Sequence, residues 1–136
     1  MSMSTSKSFA DVAEGVRATI ARYTHALDDG RTDDIVATFC AEAIIDIPGM
    51  GAHEGHDALR AAYTKWVPRR PQRHLVVNTL VTEWGDDEAH ATSDVVFLLK
   101  GDDGWAVQIV GRYLDVLHCD AAGTWRFHRR VADFVQ

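Results

Sequence analysis

The chain has 136 residues, of which 46% are apolar and 25% are charged, as in an ordinary globular domain. Its formal net charge of −6 argues against a nucleic-acid partner, because phosphate binding needs clustered cations. The polar start and the lack of a long apolar run argue against secretion and membrane insertion. We therefore expect a cytoplasmic protein with reduced thiols at Cys40 and Cys119, a disordered tail over residues 1–7 and one domain over 8–136.

The first half of the chain has the pattern of helices. Apolar residues at steps of three and four predict a helix over about residues 8–28. A second, short helix is predicted over about 32–42, with a threonine as its cap. The β-branched segment 43–47 predicts a strand that ends in a Pro-Gly turn, and a third helix is predicted over about 55–66.

The second half changes to a period of two, which is typical of strands. Four long strands are predicted, over residues 74–84, 89–100, 105–118 and 124–134. The Gly- and Asp-rich segments between them are natural hairpin connections, so the strands should form an antiparallel meander. Three helices followed by such a meander indicate an α+β fold, in which the helices cover one face of a curved sheet and enclose a pocket.

The order of these elements and several of their residues resemble the SnoaL-like family of the nuclear transport factor 2-like superfamily, over about residues 8–134. The resemblance is carried by Tyr23 and Asp28, Pro48-Gly49, Gly55-His56-Asp57-Ala58-Leu59, Arg73-His74 with Asn78, Gly111-Arg112-Tyr113 with Asp115, and Gly123 to Arg130. It implies a cone-shaped fold of three N-terminal helices on a curved, mostly antiparallel sheet. This fold supports dehydratases, isomerases, cyclases and proteins without chemistry, so function requires separate evidence.

Asp28 and His74 are the central site candidates. From the local sequence alone, Asp28 is an ordinary turn residue, since it lies about 140° around the helix from Tyr23. On the same basis, His74 is an exposed residue at the start of a strand that follows a basic loop. The resemblance to the dehydratases of the family instead implies an Asp28/His74 dyad. In such a pair the carboxylate orients the imidazole, which then takes and returns a proton.

The resemblance also implies that Arg130 takes part in catalysis. Tyr23 is a further catalytic candidate, since its hydroxyl could donate to a substrate oxygen, and the alternative is that its ring belongs to the core stripe of the helix. The substrate-binding candidates are Asn78, Asp94, Tyr113, Trp66 and Phe39. For Arg130 the alternative is a salt bridge to Asp115 or Asp94. Asp94 could equally face water, and strand alternation allows only one of Arg112 and Tyr113 to point inward.

No cofactor or metal is expected. The His-Glu-Gly-His segment at 53–56 lacks the helical spacing of a zinc protease, and Gly49-Met50-Gly51 lacks the rest of a dinucleotide fingerprint. We therefore expect a cofactor-free lyase, a dehydratase or related enzyme, that acts on a small apolar, ring-containing molecule. An isomerase or cyclase, a non-catalytic binding protein and a dioxygenase-type β subunit are the alternatives. Apolar residues on the outer sheet face predict a homodimer or higher homo-oligomer.

Overall fold

The computed structural model describes residues 6–135. The secondary structure comprises α1 (Phe9–Asp29), α2 (Thr32–Ala37), β1 (Phe39–Ile47), β2 (Gly51–Glu54), α3 (His56–Lys65), β3 (Gln72–Trp84), β4 (Glu88–Gly101), β5 (Gly104–Cys119) and β6 (Trp125–Phe134). Most of the predicted tail lies outside the described residues, but Lys7 is placed, and its Nζ donates to the Asp86 carbonyl at 2.6 Å. Within 6–135, no helix is long and apolar enough to cross a membrane.

Helix α1 begins and ends as its sequence predicts. The Ser8 hydroxyl accepts a hydrogen bond from the Asp11 amide at 3.1 Å and so caps the first turn. Gly30 stops the helix in the left-handed conformation, with φ of 69°, which glycine adopts without a Cβ clash. The predicted apolar stripe is buried except for Phe9, and it packs towards the sheet.

The segment after α1 differs from its prediction. Helix α2 ends at Ala37, and strand β1 starts already at Phe39, where the prediction continued the helix to Glu42. The reason is tertiary: Phe39 pairs with Phe127 in a parallel ladder between β1 and β6, which overrides the local helical pattern. Strand β2 was not predicted, since it is a four-residue partner of β1.

The predicted α+β fold is confirmed. The sheet has six strands in the order β2-β1-β6-β5-β4-β3. Strands β3 to β6 form the predicted antiparallel meander, and only the β1–β6 pairing among the described strands is parallel. The sheet is curved and unclosed, and the helices pack on its inner face, which leaves a pocket between the two layers.

The strand ladders contain several register shifts, and two of them decide which predicted site residues point inward. In β3 the register shifts between Val77 and Leu80, and Asn78 adopts a positive φ of 55°. Opposite Val116 and Leu117, β6 contains one extra residue, His128. Each bulge reverses the alternation of the strand beyond it, so the simple alternation used for the sequence fails there.

Candidate active site

A pocket of about 410 Å³ opens between the helices and the inner face of the sheet, a size typical of small-molecule sites. Its apolar wall includes Leu27, Ile47, Val95, Phe97, Ile109 and Phe134. The predicted residues Tyr23, Trp66, His74 and Tyr113 also line it, together with Tyr63 and Gln72, which were not predicted as site residues. The β1–β2 turn, Pro48 to Met50, also lines the pocket.

Asp28 and His74 are in direct contact at this pocket. Oδ1 of Asp28 lies 2.6 Å from Nδ1 of His74, and Oδ2 accepts the His74 backbone N–H at 2.8 Å. The Gln72 side-chain amide donates to Oδ1 at 3.2 Å. Because an ionised carboxylate only accepts, these contacts place the proton of a neutral imidazole on Nδ1 and leave Nε2 free.

Both members of this pair are sheltered from solvent. The Asp28 side chain is 6% exposed and that of His74 15%. Phe97 stacks on the imidazole with 4.5 Å between ring centroids and 13° between the planes, which fixes the ring orientation. The polar group is thus held rigidly in an apolar wall.

The position of Asp28 follows from a second buried stripe on α1. Ile20 and Thr24 are buried, and Asp28 follows at the same spacing of four residues. This stripe packs against β3, beside the core stripe that contains Tyr23. The angle of about 140° between Tyr23 and Asp28 therefore separates two buried faces, rather than a buried face from an exposed one.

Two phenols form a second polar group in the pocket wall. The hydroxyls of Tyr23 and Tyr63 lie 2.7 Å apart, and burial raises the pKa of both. Both therefore remain protonated near neutral pH, and one O–H of the pair is left to donate to a third group. Tyr63 was not predicted as a site residue. The need of a buried phenol for a hydrogen-bond partner is the signal that could have identified it.

Arg130 lies behind the pocket wall rather than on it. It forms two hydrogen bonds with Asp115, at 2.9 and 3.2 Å, and both side chains are almost fully buried. Its guanidinium lies 3.5 Å from the Tyr113 ring centroid and 4.5 Å from that of Tyr23. Burial raises the pKa of Asp115 above its ordinary value, and the neighbouring Arg130 guanidinium opposes part of this rise. Among residues 6–135, Nη1 of Arg130 has no hydrogen-bond partner.

Arg130 therefore makes the salt bridge to Asp115 that the sequence offered as the alternative to a catalytic role. The β6 bulge at His128 explains how Arg130 and Phe127 both point inward, which the regular alternation of the predicted strand did not allow. Phe39 is also corrected: it is 1% exposed and packs against Tyr23 and Phe127 behind the pocket.

Asn78 and Asp94 are not brought to the pocket, which corrects their predicted placement. Asn78 donates to Asp94 at 2.9 Å, and Arg112 donates to the other carboxylate oxygen at 2.9 Å. The hydrogen bond from Asn78, and after it the one from Arg112, lowers the pKa of Asp94. The β3 bulge turns Asn78 away from the side of His74, and Asp94 lies on the outer sheet face, as one alternative allowed.

The helix-backed sheet and its apolar pocket define a protein of the nuclear transport factor 2-like superfamily. Within this class the chain belongs to the family with a SnoaL-like domain, since the sequence profile of that family matches residues 10–131. The resemblance noted in the sequence is thereby confirmed. No curated protein matches the chain significantly.

Several solved structures share this fold. A variant of a Mycobacterium tuberculosis protein of unknown function has a TM-score of 0.86 at 23% identity, over 92% of this chain and 72% of its own. A Catenulispora acidiphila protein in complex with S-DNPA has a TM-score of 0.82 at 24% identity, over 92% and 94%. A Novosphingobium aromaticivorans protein provisionally assigned as a scytalone dehydratase has a TM-score of 0.80 at 17% identity, over 92% and 85%. At these identities the likeness establishes the fold alone.

Proposed function

We propose that this protein is a cofactor-free lyase that removes a proton and a leaving group from a small, apolar, ring-containing molecule in the cytoplasm. The observation that carries this proposal is the Asp28–His74 contact of 2.6 Å in the wall of an apolar pocket. Asp28 orients the imidazole, and His74 is the proposed base. Dehydration is the first choice among eliminations, and isomerisation or cyclisation in the same pocket is the alternative.

The proposed reaction begins at Nε2 of His74. This nitrogen takes a proton from a C–H bond next to an electron-withdrawing group, and Asp28 stabilises the resulting imidazolium. The electrons of the C–H bond form a C=C bond as the C–O bond to the leaving hydroxyl breaks. The imidazolium can return the proton to the departing oxygen, which leaves as water, so the protein ends the cycle unchanged.

The tyrosine pair supplies the polarising contact in this proposal. The free O–H of the Tyr23–Tyr63 pair is available to a substrate oxygen at the pocket wall. A hydrogen bond to a carbonyl oxygen would stabilise the enolate that forms when His74 removes the adjacent proton. Arg130, which is stacked behind Tyr113 and Tyr23, is assigned to the support of these rings rather than to substrate contact.

Two of the similar structures support a small-molecule ligand and a dehydratase-type reaction. The C. acidiphila protein was solved in complex with S-DNPA, and the N. aromaticivorans protein carries a provisional dehydratase assignment. For this chain we infer only the ligand class that its own pocket supports, which is an apolar molecule with an oxygen within reach of the tyrosines and His74.

The orientation of His74 can be tested without a substrate. In Asp28→Asn, the backbone N–H of His74 still requires an acceptor, so the amide oxygen should replace Oδ2 and the NH₂ group should face Nδ1. We expect the neutral ring to change from the Nδ1–H tautomer to the Nε2–H tautomer, which has no free nitrogen for a substrate proton. Imidazole ¹⁵N chemical shifts of selectively labelled protein measure this change.

Asp29→Asn is the matched control, since Asp29 is the exposed neighbour of Asp28 and does not contact His74. It should leave the His74 ring shifts as in the wild-type protein. A wild-type ring already protonated on Nε2, or one that is insensitive to Asp28→Asn, would overturn the proposed role of Asp28. It would favour a binding protein without turnover.

We also propose that the protein is a homodimer or higher homo-oligomer joined through the outer sheet face. Large apolar residues remain exposed there: Leu75, Val77, Leu80, Val107, Val110 and Leu114. Val107 is 58% exposed and Leu114 45%. These residues lie on β3 and β5, which flank β4 in the sheet. Several large apolar side chains exposed on one sheet face are typical of a covered interface.

The assembly is tested by the mass in solution. The wild-type protein should sediment as a dimer or larger species, and the double variant Val107→Lys/Leu114→Lys should sediment as a monomer, because two charges would be buried without partners. Thr64→Lys, on the exposed side of α3, should leave the wild-type mass unchanged. A monomeric wild-type protein at micromolar concentration would contradict this proposal.

A further inference from the structure

A cluster of three metal-binding side chains lies away from the pocket. Cys40 is near the start of β1, His118 is near the end of β5, and His128 forms the bulge of β6. One ligand atom from each lies within 4.8 Å of the other two. We propose that Cys40, His118 and His128 bind a divalent transition-metal ion, with Zn²⁺ as the preferred ion.

The donor set suits this ion. A thiolate and two imidazoles are the ligands that zinc, a borderline-soft ion, takes most often in proteins. Zinc bonds of about 2.0–2.3 Å place neighbouring ligand atoms roughly 3.3–3.8 Å apart, so the widest pair would close by roughly 1 Å. The Cys40 thiol makes a weak hydrogen bond to the Arg126 carbonyl at 3.8 Å, which a metal bond can replace.

A carboxylate already orients one of the proposed ligands. Glu88 Oε1 lies 2.9 Å from Nε2 of His118, which leaves Nδ1 as the free nitrogen of that ring. Histidines that bind metals commonly donate their other N–H to a carboxylate, which fixes the tautomer and makes the bound nitrogen more basic. Glu88 is therefore assigned as a positioning residue of the site.

The second histidine is held beside the first. The rings of His118 and His128 are stacked, with 4.1 Å between centroids and 13° between planes. Because the lone pair of an imidazole nitrogen lies in the ring plane, one ring must rotate out of this stack for both to bind the same ion. The extra residue in β6 places His128 there, next to the paired end of β5. The three ligands come from three neighbouring strands and leave a fourth position for water or a further ligand.

The site is independent of the proposed elimination chemistry. None of its three side chains lines the pocket that contains His74. The sequence-based expectation of no metal depended on local motifs, and ligands at positions 40, 118 and 128 form no such motif. Only the pairing of β1 and β5 with β6 brings them together.

The test uses the full chain after chelator treatment and dialysis, with Co²⁺ and Zn²⁺ as probes. Co²⁺ should bind at one ion per chain and give a thiolate-to-cobalt charge-transfer band, which Zn²⁺ then removes by displacement. Cys40→Ser should abolish the band, and His128→Gln should weaken binding strongly. Glu88→Gln should weaken it by about 10- to 100-fold, as is typical when the partner of a ligand histidine is lost.

Cys119→Ser is the matched control, because Cys119 borders the same surface depression as Cys40 but its thiol faces the Asp120 carbonyl. This variant should keep both the band and the stoichiometry. Zn²⁺ should raise the thermal midpoint of the wild-type protein and of Cys119→Ser but not of Cys40→Ser. Absence of the cobalt band in the wild-type protein, or its loss in Cys119→Ser with retention in Cys40→Ser, would overturn the proposed site.

Discussion

Replacing Arg130 with methionine is expected to lower the free energy of unfolding by about 3–5 kcal/mol, because it leaves the Asp115 carboxylate buried without a counter-ion. Asp115 is fully enclosed and has no exposed route to water. The guanidinium also packs between the rings of Tyr113 and Tyr23, so its loss removes ring contacts as well. Chemical denaturation at neutral pH measures the change.

Arg112→Met is the control for this experiment. Arg112 pairs with Asp94 at the same 2.9 Å, but its side chain is 60% exposed, so its loss should change the unfolding free energy by less than about 1 kcal/mol. The double variant Arg130→Met/Asp115→Leu should recover most of the loss, since apolar replacement of a whole buried pair is often neutral. Equal costs for Arg130→Met and Arg112→Met would contradict the assignment of a buried, essential ion pair.

Replacing His74 with glutamine is expected to lower turnover by about 10²- to 10⁴-fold once a substrate is known, because glutamine cannot accept and return the proton. The substrate screen should contain ring compounds with a hydroxyl group β to a carbonyl carbon, followed by the absorbance of the conjugated product. KM should change little, since glutamine keeps a polar side chain of similar reach in the wall. Measurement of both kcat and KM separates loss of chemistry from loss of binding.

His25→Gln is the matched control for the kinetics. His25 is an exposed residue of α1 that does not line the pocket, and its replacement should leave kcat unchanged. Full activity in His74→Gln would exclude His74 as the base. Tight binding of ring compounds by the wild-type protein without any turnover would instead favour a binding protein.

Much of the fold was accessible from the sequence because its signals are local. The three and four residue steps of α1 and the turns between β3 and β6 are encoded in short segments, and the structure follows them closely. The start of β1 was not accessible, since Phe39 belongs to a helical pattern locally and becomes a strand residue only by pairing with Phe127. Such a pairing joins segments almost ninety residues apart, and no local rule reports it.

The candidate site also contains residues that the sequence predicted correctly and residues that it did not. His74 and Asn78 were both predicted as site residues, but of the two only His74 lines the pocket. A single extra residue in β3 made the prediction for Asn78 wrong. Tyr63 was overlooked for a different reason: a tyrosine on an apolar stripe has the pattern of a core residue until its hydroxyl partner is known.

The β1–β2 turn in the pocket wall and the proposed reacting group belong to separate parts of the chain. The turn from Pro48 to Met50 connects two strands at one end of the sheet, whereas Asp28 and His74 are held by α1 and β3 at the other edge. Substitutions in the turn can therefore alter which molecules enter without disturbing the hydrogen bonds of the pair. For the proposed reaction, substitutions in the turn would change the preferred substrate and leave the chemical step unchanged. Met50, which is half exposed and has an unbranched side chain, is a suitable first position for such a substitution.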